Sequence, residues 1–285
     1  MEAQPQPRGT LKHPHGTLNP MEPTGPYAAD LALAMSMADQ ADDLTLGNFT
    51  AATFTVEIKA DETPVTAVDR GTEALIRARL AQELPEDSFR GEESGSSGKT
   101  SRQWVIDPID GTKNYIRGVP VWATLIALID GGEPVVGVVS APALGRRWFA
   151  AAGDGAWSGL TFADATRLSV SARAELNEST LSYSSLHGWE ERGLWPQFLG
   201  LTKAMWRTRA FGDFWSYMMV AEGSVDVACE PELSLWDMAA LVPIVTEAGG
   251  RFTALDGTPG PFGADAVATN GLLHAEVLAY IGTAR

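Results

Sequence analysis

Hydrophobic positions recur with helical spacing early in the chain and crowd into short runs further on. Over 27–46, Leu31, Leu33, Met35, Met37 and Ala38 stand among Asp and Gln, a pattern that predicts an amphipathic helix. A second helix is predicted over 68–84, with Leu75, Ile76 and Leu80 on one face and Pro85 just past its end. Glycine and serine crowd 91–98, which predicts a loop, and the apolar run 104–106 predicts a short buried strand delivering Asp107 at its end. The β-rich runs 122–129 and 134–139 flank Asp130-Gly131-Gly132, a hairpin signal, and 148–151 adds a third strand.

The second half alternates. Strands are predicted at 168–170, 180–184 and 225–228, with a helix over 212–222 between the last two. A helix over 235–248 closes on Gly249-Gly250, where a left-handed cap is wanted. Strands 251–254 and 266–268 and a last helix from about 272 complete the chain. Strand runs first and alternation later predict a mixed α/β chain of two lobes, divided as 27–155 and 156–285. Residues 1–26 carry Pro, Gly and His without periodic apolar content and are expected to form a disordered tail.

A formal net charge of -15 and a pI near 4.6 argue against nucleic acid or an anionic membrane as partner. Cys229 is the single cysteine, so an internal disulfide and a multi-thiolate zinc site are excluded, and it reads as a small buried hydrophobe. No apolar run reaches the roughly 18 residues of a membrane span, and the expectation is a cytoplasmic protein.

The chemistry concentrates in Asp107-Pro108-Ile109-Asp110-Gly111-Thr112-Lys113-Asn114. Two carboxylates leaving a strand within one tight turn can be aimed at one cation, and Mg²⁺ favours such oxygen ligands, the Ile109 carbonyl included. Gly111 and Thr112 open a predicted helix whose N–H groups suit a phosphate. The bland alternative is an Asp-Pro turn followed by an Asp cap. Taken singly, Glu92 reads as a loop charge, Asp69 as a first-turn acid and Asp237 as a partner of a helix dipole.

Four ordered motifs change that weighting: Lys59-x-Asp61-x-x-Pro64-x-Thr66-x-x-Asp69, Gly91-Glu92-Glu93-Ser94, the Asp107–Asn114 segment, and Trp236-Asp237 with Glu247-Ala248-Gly249-Gly250. Together they resemble the inositol monophosphatase family from about residue 27 to the end. Within it, the stretch from Lys113 to Trp122 and Phe211-Gly212-Asp213-Phe214 resemble the histidinol-phosphate phosphatases of bacteria and plants. The resemblance implies a layered α-β-α-β-α sandwich, a homodimer, a small phosphorylated metabolite as substrate, and two or three Mg²⁺ ions per site. It further implies that Glu92, Asp107 and the Ile109 carbonyl hold one ion and Asp107, Asp110 and Asp237 a second. Asp69 and Thr112, with Glu92 beside them, would handle the attacking water. Gly111, Thr112, Arg209, Asp213 and Glu230 would contact substrate, the two acids suiting an ammonium group. Trp122 could stack on an imidazole, although a core position is the simpler assignment, and His187 and His274 carry no partner spacing.

Rival readings fail on particular residues. Gly98-Lys99-Thr100 resembles the end of a P-loop, but Glu93 stands where its first glycine belongs. No arginine follows Cys229 as far as Asp237, and two residues rather than one separate Asp107 from Asp110, against cysteine-based and aspartyl-phosphate chemistry respectively. A non-catalytic metal-binding or assembly protein, an inositol-1-phosphatase and a related sugar or nucleotide phosphatase remain as alternatives.

Overall fold

The computed structural model describes residues 21–52, 55–58 and 64–282. Lys59, Asp61 and positions 1–20 of the expected tail lie outside the described residues. The rest of that segment is anchored at two points: Met21 is buried with its N–H on the Phe162 carbonyl at 2.9 Å, and the Gly25 N–H donates to the Asp154 carboxylate at 3.0 Å.

Helix α1 (Ala28–Ala51) runs past its predicted end because termination waits for Ala52, which adopts the left-handed conformation at φ 50°. A strand pair, β1 (Val56–Ile58) with β2 (Pro64–Thr66), leads into α2 (Ala67–Glu83). There follow β3 (Ser88–Gly91), β4 (Gly95–Ser97), β5 (Arg102–Asp110), the single turn α3 (Thr112–Tyr115), β6 (Ala123–Asp130), β7 (Glu133–Ala141), β8 (Arg146–Ala151), β9 (Gly155–Ser158) and β10 (Thr166–Arg167). From β3 on, these strands form an eight-stranded sheet in the order β10-β9-β8-β7-β6-β5-β3-β4, which continues past the 155/156 division suggested by the sequence.

Two predictions change in this lobe. The expected loop at 91–98 is a hairpin, with Gly91 opposite Gly95 and Phe89 opposite Ser97, because backbone pairing rather than side-chain burial holds this edge. The expected strand at 168–170 is absent: pairing with β9 ends at the Leu168 N–H, which donates to the Ala156 carbonyl at 2.8 Å, and the Val170 N–H turns to the Ala248 carbonyl.

The C-terminal lobe runs β11 (Thr180–Ser182), α4 (His187–Glu191), α5 (Trp195–Ala204), β12 (Arg207–Arg209), α6 (Asp213–Ala221), β13 (Val227–Glu230), α7 (Leu235–Ala239), α8 (Leu241–Glu247), β14 (Arg251–Thr253), β15 (Ala266–Thr269) and α9 (His274–Ile281). Its five strands order as β12-β11-β13-β15-β14, with β11 parallel to both its neighbours. The helix predicted over 235–248 is broken at Ala240. Pro243 has no N–H to return to Ala239, and its ring crowds the same carbonyl, so the chain restarts as α8.

Side-chain alternation builds the layers. Ile126 and Leu128 of β6 face α1 and α2, while Leu125, Ala127 and Ile129 face α6, α7 and α8. Ala228, Ala266 and Ala268 of the second sheet close that middle helical layer from the other side. Val227, Cys229 and Val267 point away from it, onto α4, α5 and α9. The result is the α-β-α-β-α sandwich. Trp122 is a core residue, fully buried with Phe49 and Tyr115. His274 is buried between the Thr253 and Thr269 hydroxyls, and burial pushes its imidazole down to about 4, while His187 is exposed. Among the described residues no helix is long and apolar enough to cross a membrane.

Gly137 sets the approach of the middle helices to β7: a Cβ there would stand 2.2 Å from the Ala240 carbonyl oxygen. Replacing Gly137 with Ala is expected to destabilise the fold by about 1–3 kcal/mol, since the clash is with backbone that cannot swing aside. Denaturant unfolding of the two proteins checks this, and equal midpoints would contradict the packing described.

Candidate metal centre and active site

In a regular strand, Asp107 and Asp110 would point to opposite faces, because residues three apart differ in parity. The β5–β6 ladder solves this. Asp107 lies opposite Leu125, but Asp110, not Ile109, lies opposite Ala123, so one extra residue is taken up between them. This bulge resets the alternation and turns both carboxylates to one side. Pro108 sits in it with no N–H to lose, and its carbonyl accepts from the Thr124 hydroxyl at 2.8 Å. The expected strand end followed by a tight turn is thus a bulge within a strand that reaches Asp110. Gly111 then takes φ +83°, where a side chain would press on the Val121 carbonyl at 3.0 Å. The helix expected after it is only the single turn α3.

Four acids are held alike. Asp107 accepts the Ile109 N–H at 3.0 Å, Asp110 the Phe214 N–H at 2.7 Å, Asp237 the Ser234 N–H at 2.7 Å and Asp69 the Thr66 N–H at 2.9 Å. Each backbone bond engages one named oxygen, which fixes the carboxylate plane. For Asp69 and Asp237 the bond belongs to a capping box, so the first-turn role and the site role coincide. Ligand oxygens of Asp107, Asp110 and Asp237 lie within 4.8 Å of one another.

Such crowding is unfavourable for anions out of water. Burial, followed by the charges of Glu92, Asp110, Asp237 and Asp69, raises Asp107 well above the carboxylate range. Burial and then Asp213 and Asp237 do the same to Asp110, and burial foremost lifts Asp237 to about 6. A cluster that resists ionisation, with oxygen donors alone, fits hard divalent cations that would reverse the local sign of the field. Glu92 belongs to the same group electrostatically. It sits in the β3–β4 turn, whose next two N–H groups, those of Glu93 and Ser94, both donate to the buried Glu73 carboxylate at 2.7 Å.

Above the acids opens a cleft of about 570 Å³ between the lobes. Its floor includes Glu92, Asp107, Ile109, Asp110 and Asp237, and Gly111, Thr112 and Lys113 rim it. Ser184, Ser185, Phe211, Asp213 and Glu232 form the facing wall. The Thr112 hydroxyl donates to the Ile109 carbonyl at 2.9 Å and stands 3.5 Å from the Asp69 carboxylate. Glu230 is buried at the end of β13, behind the wall, where burial lifts it to about 8 and Ser184 and Tyr217 neighbour it. Asp213 is the first residue of α6 rather than its cap, and Gly212 holds the cap position. Arg209 is not brought to the cleft: it is exposed on the edge strand β12, with its guanidinium on the Thr208 carbonyl.

Known proteins share this fold. The model of the inositol monophosphatase family matches residues 28–284. This chain belongs to the inositol monophosphatase family. It is 58% identical over 259 residues to a histidinol-phosphatase of Streptomyces coelicolor, covering 90% of this chain and 97% of that protein. A histidinol-phosphatase of Mycobacterium tuberculosis is 57% identical, with 87% and 96% covered. Among solved structures, an inositol monophosphatase of Zymomonas mobilis superposes with a TM-score of 0.80 at 32% identity, covering 90% of this chain and 99% of that one. The family is metal-dependent, in keeping with the acid cluster.

Sequence reasoning missed Glu73, Ser184, Ser185 and Glu232. Glu73 could have been found, since it follows Asp69 by one helical turn and shares its face. The others follow the carboxyl ends of the parallel strands β11 and β13, a relation visible only once the pairing is known.

Saturating Mg²⁺ is expected to raise the unfolding temperature by roughly 5–10 °C, the consequence of a ligand bound to the native state alone. Asp107→Asn removes a repelled buried charge, so the metal-free variant should unfold no earlier than the metal-free wild type, while losing most of the Mg²⁺ increment. Thermal unfolding with Mg²⁺ and with chelator reads both effects. A full increment in the variant would remove Asp107 from the metal site.

Proposed function

We propose that this chain is a Mg²⁺-dependent histidinol-phosphatase, converting L-histidinol phosphate and water to L-histidinol and phosphate in histidine biosynthesis. The observation that carries the metal-dependent phosphatase reading is the convergence of Asp107 and Asp110 of β5 and Asp237 of α7 at the floor of the cleft. The 57–58% identity to two histidinol-phosphatases over most of the chain supports the substrate.

Two or three Mg²⁺ ions fit the donor set: Glu92, Asp107 and the Ile109 carbonyl would hold one, and Asp107, Asp110 and Asp237 a second. When bound, Mg²⁺ supplies positive charge against the phosphate oxygens and Lewis acidity toward water. The Gly111 and Thr112 N–H groups orient the phosphate. Asp69, raised by burial and within reach of the Thr112 hydroxyl, positions the attacking water and takes its proton. Water adds to phosphorus as the ester P–O bond breaks, and the departing alkoxide takes up a proton from solvent to leave as the alcohol, matched by the proton that Asp69 afterwards releases. Substrate ammonium and imidazole groups face Asp213, which burial lifts to about 6. Glu230 supports the same wall from behind, and Arg209, away from the cleft, has no part in the reaction. The reading is set in a cytoplasmic homodimer, which rests on family resemblance.

A phosphate-release panel with Mg²⁺ over histidinol phosphate, inositol 1-phosphate, fructose 1,6-bisphosphate and adenosine 3',5'-bisphosphate tests the assignment. Histidinol phosphate should give the highest kcat/KM, and Asp110→Asn should cut its turnover by about 10²-fold or more with the fold retained. Faster turnover of inositol 1-phosphate would overturn the substrate, and undiminished turnover by the variant would overturn the metal assignment.

A further inference from the structure

Asp213 is unusual in its backbone. It is a non-glycine residue at φ +50°, a left-handed conformation that side chains other than Asn and Asp rarely accept. Three bonds from three elements hold it there. Its N–H donates to the Ser184 hydroxyl at 2.7 Å, the next N–H, that of Phe214, donates to Asp110 at 2.7 Å, and its Oδ2 accepts from the Asn114 amide at 3.0 Å. Asn114 is itself fixed, because the same Nδ2 donates to the Val121 carbonyl at 2.9 Å. Oδ1 of Asp213 has no hydrogen-bond partner among the described residues, and the residue lines the cleft. Asp110 and Asn114 of the metal turn are therefore bonded to Phe214 and Asp213 of the facing lobe, about a hundred residues away in the chain.

Asn114 is suited to this role by its chemistry. An amide nitrogen has two N–H groups, enough for a carbonyl and a carboxylate together, and it adds no charge. A lysine or arginine at this position would neutralise Asp213, and an aspartate would repel it. The amide fixes one oxygen and leaves the negative charge for another partner. A cationic group small enough for the cleft suits that oxygen, and Lys113, the cation whose field reaches Asp213, is exposed and not within ion-pairing distance of it.

We propose that Asn114 is a specificity-positioning residue: by holding Oδ2 of Asp213 it fixes the second oxygen toward the cleft, where it receives the cationic group of the substrate alcohol. The inference rests on the reading above, that Asp213 meets a cationic substrate. Selectivity for a cationic alcohol is then built onto the metal turn itself. A phosphate ester of a neutral alcohol makes no use of the bridge.

The test compares kcat/KM for L-histidinol phosphate with kcat/KM for glycerol 2-phosphate. In both Asn114→Ala and Asp213→Asn this ratio should fall by about tenfold, through KM for histidinol phosphate more than through kcat. The double exchange, Asn114→Asp with Asp213→Asn, restores an amide-to-carboxylate bond but moves the charge across it. It leaves the Val121 carbonyl without the donor that Asn114 supplies, so its unfolding temperature should fall, while the ratio remains low. A fall with Asp213→Asn but none with Asn114→Ala would overturn the bridge and leave the substrate reading intact. No fall with Asp213→Asn would overturn that reading and the inference with it. Equal losses on both esters with Asn114→Ala, or a wild-type ratio in the double exchange, would reduce Asn114 to a structural residue.

Discussion

Burial of a cluster of carboxylates, sharpened by their mutual repulsion, is the constraint around which this molecule is arranged. Asp107 and Asp110 from β5 and Asp237 from α7 bring ligand oxygens within 4.8 Å of one another, with Glu92 and Asp69 adding to the field. Like charges in a poorly solvated site oppose ionisation, and only a concentrated positive charge reverses this. The rest of the fold must therefore hold the acids in place against a force that drives them apart. Three helical layers and two sheets supply that rigidity, and the cleft lies where the two lobes meet.

The means of holding them is uniform. In each of four acids one oxygen accepts a backbone N–H from its own turn or from the facing lobe. Peptide groups cannot move without moving the chain, so these bonds transfer the rigidity of the fold to the carboxylate planes. Glu73 applies the same logic in reverse, its side chain gripping two backbone N–H groups of the turn that carries Glu92. Gly91 is required alongside, since a Cβ there would lie 2.2 Å from the Glu73 carboxylate.

What could be read from the sequence was local. The run from Asp107 to Thr112 declares oxygen ligands by composition, and Thr66-x-x-Asp69 declares a capped helix start, because both depend on residues a few positions apart. The bulge between Asp107 and Asp110 could not be read, since it exists only as a mismatch against Leu125 and Ala123 on another strand. The breaking of the 235–248 helix was legible in principle from Pro243, but the continuous apolar run masked it. The acids of the facing wall were partly legible: Asp213 and Glu230 stand out as charges, yet that one lines the cleft and the other lies behind it follows from where α6 begins and where β13 ends. Arg209 stood out as a charge too, and the edge position of β12 carries it away from the cleft.

The central claim is that the carboxylate cluster exists to hold divalent cations. Mn²⁺ accepts the same oxygen ligands as Mg²⁺ and can be located by anomalous diffraction. Crystals grown with Mn²⁺ should show anomalous peaks within coordination distance of Asp107, shared with Asp110 and Asp237 on one side and Glu92 on the other. An absence of any peak near Asp107 at a Mn²⁺ concentration that saturates phosphatase activity would contradict the account.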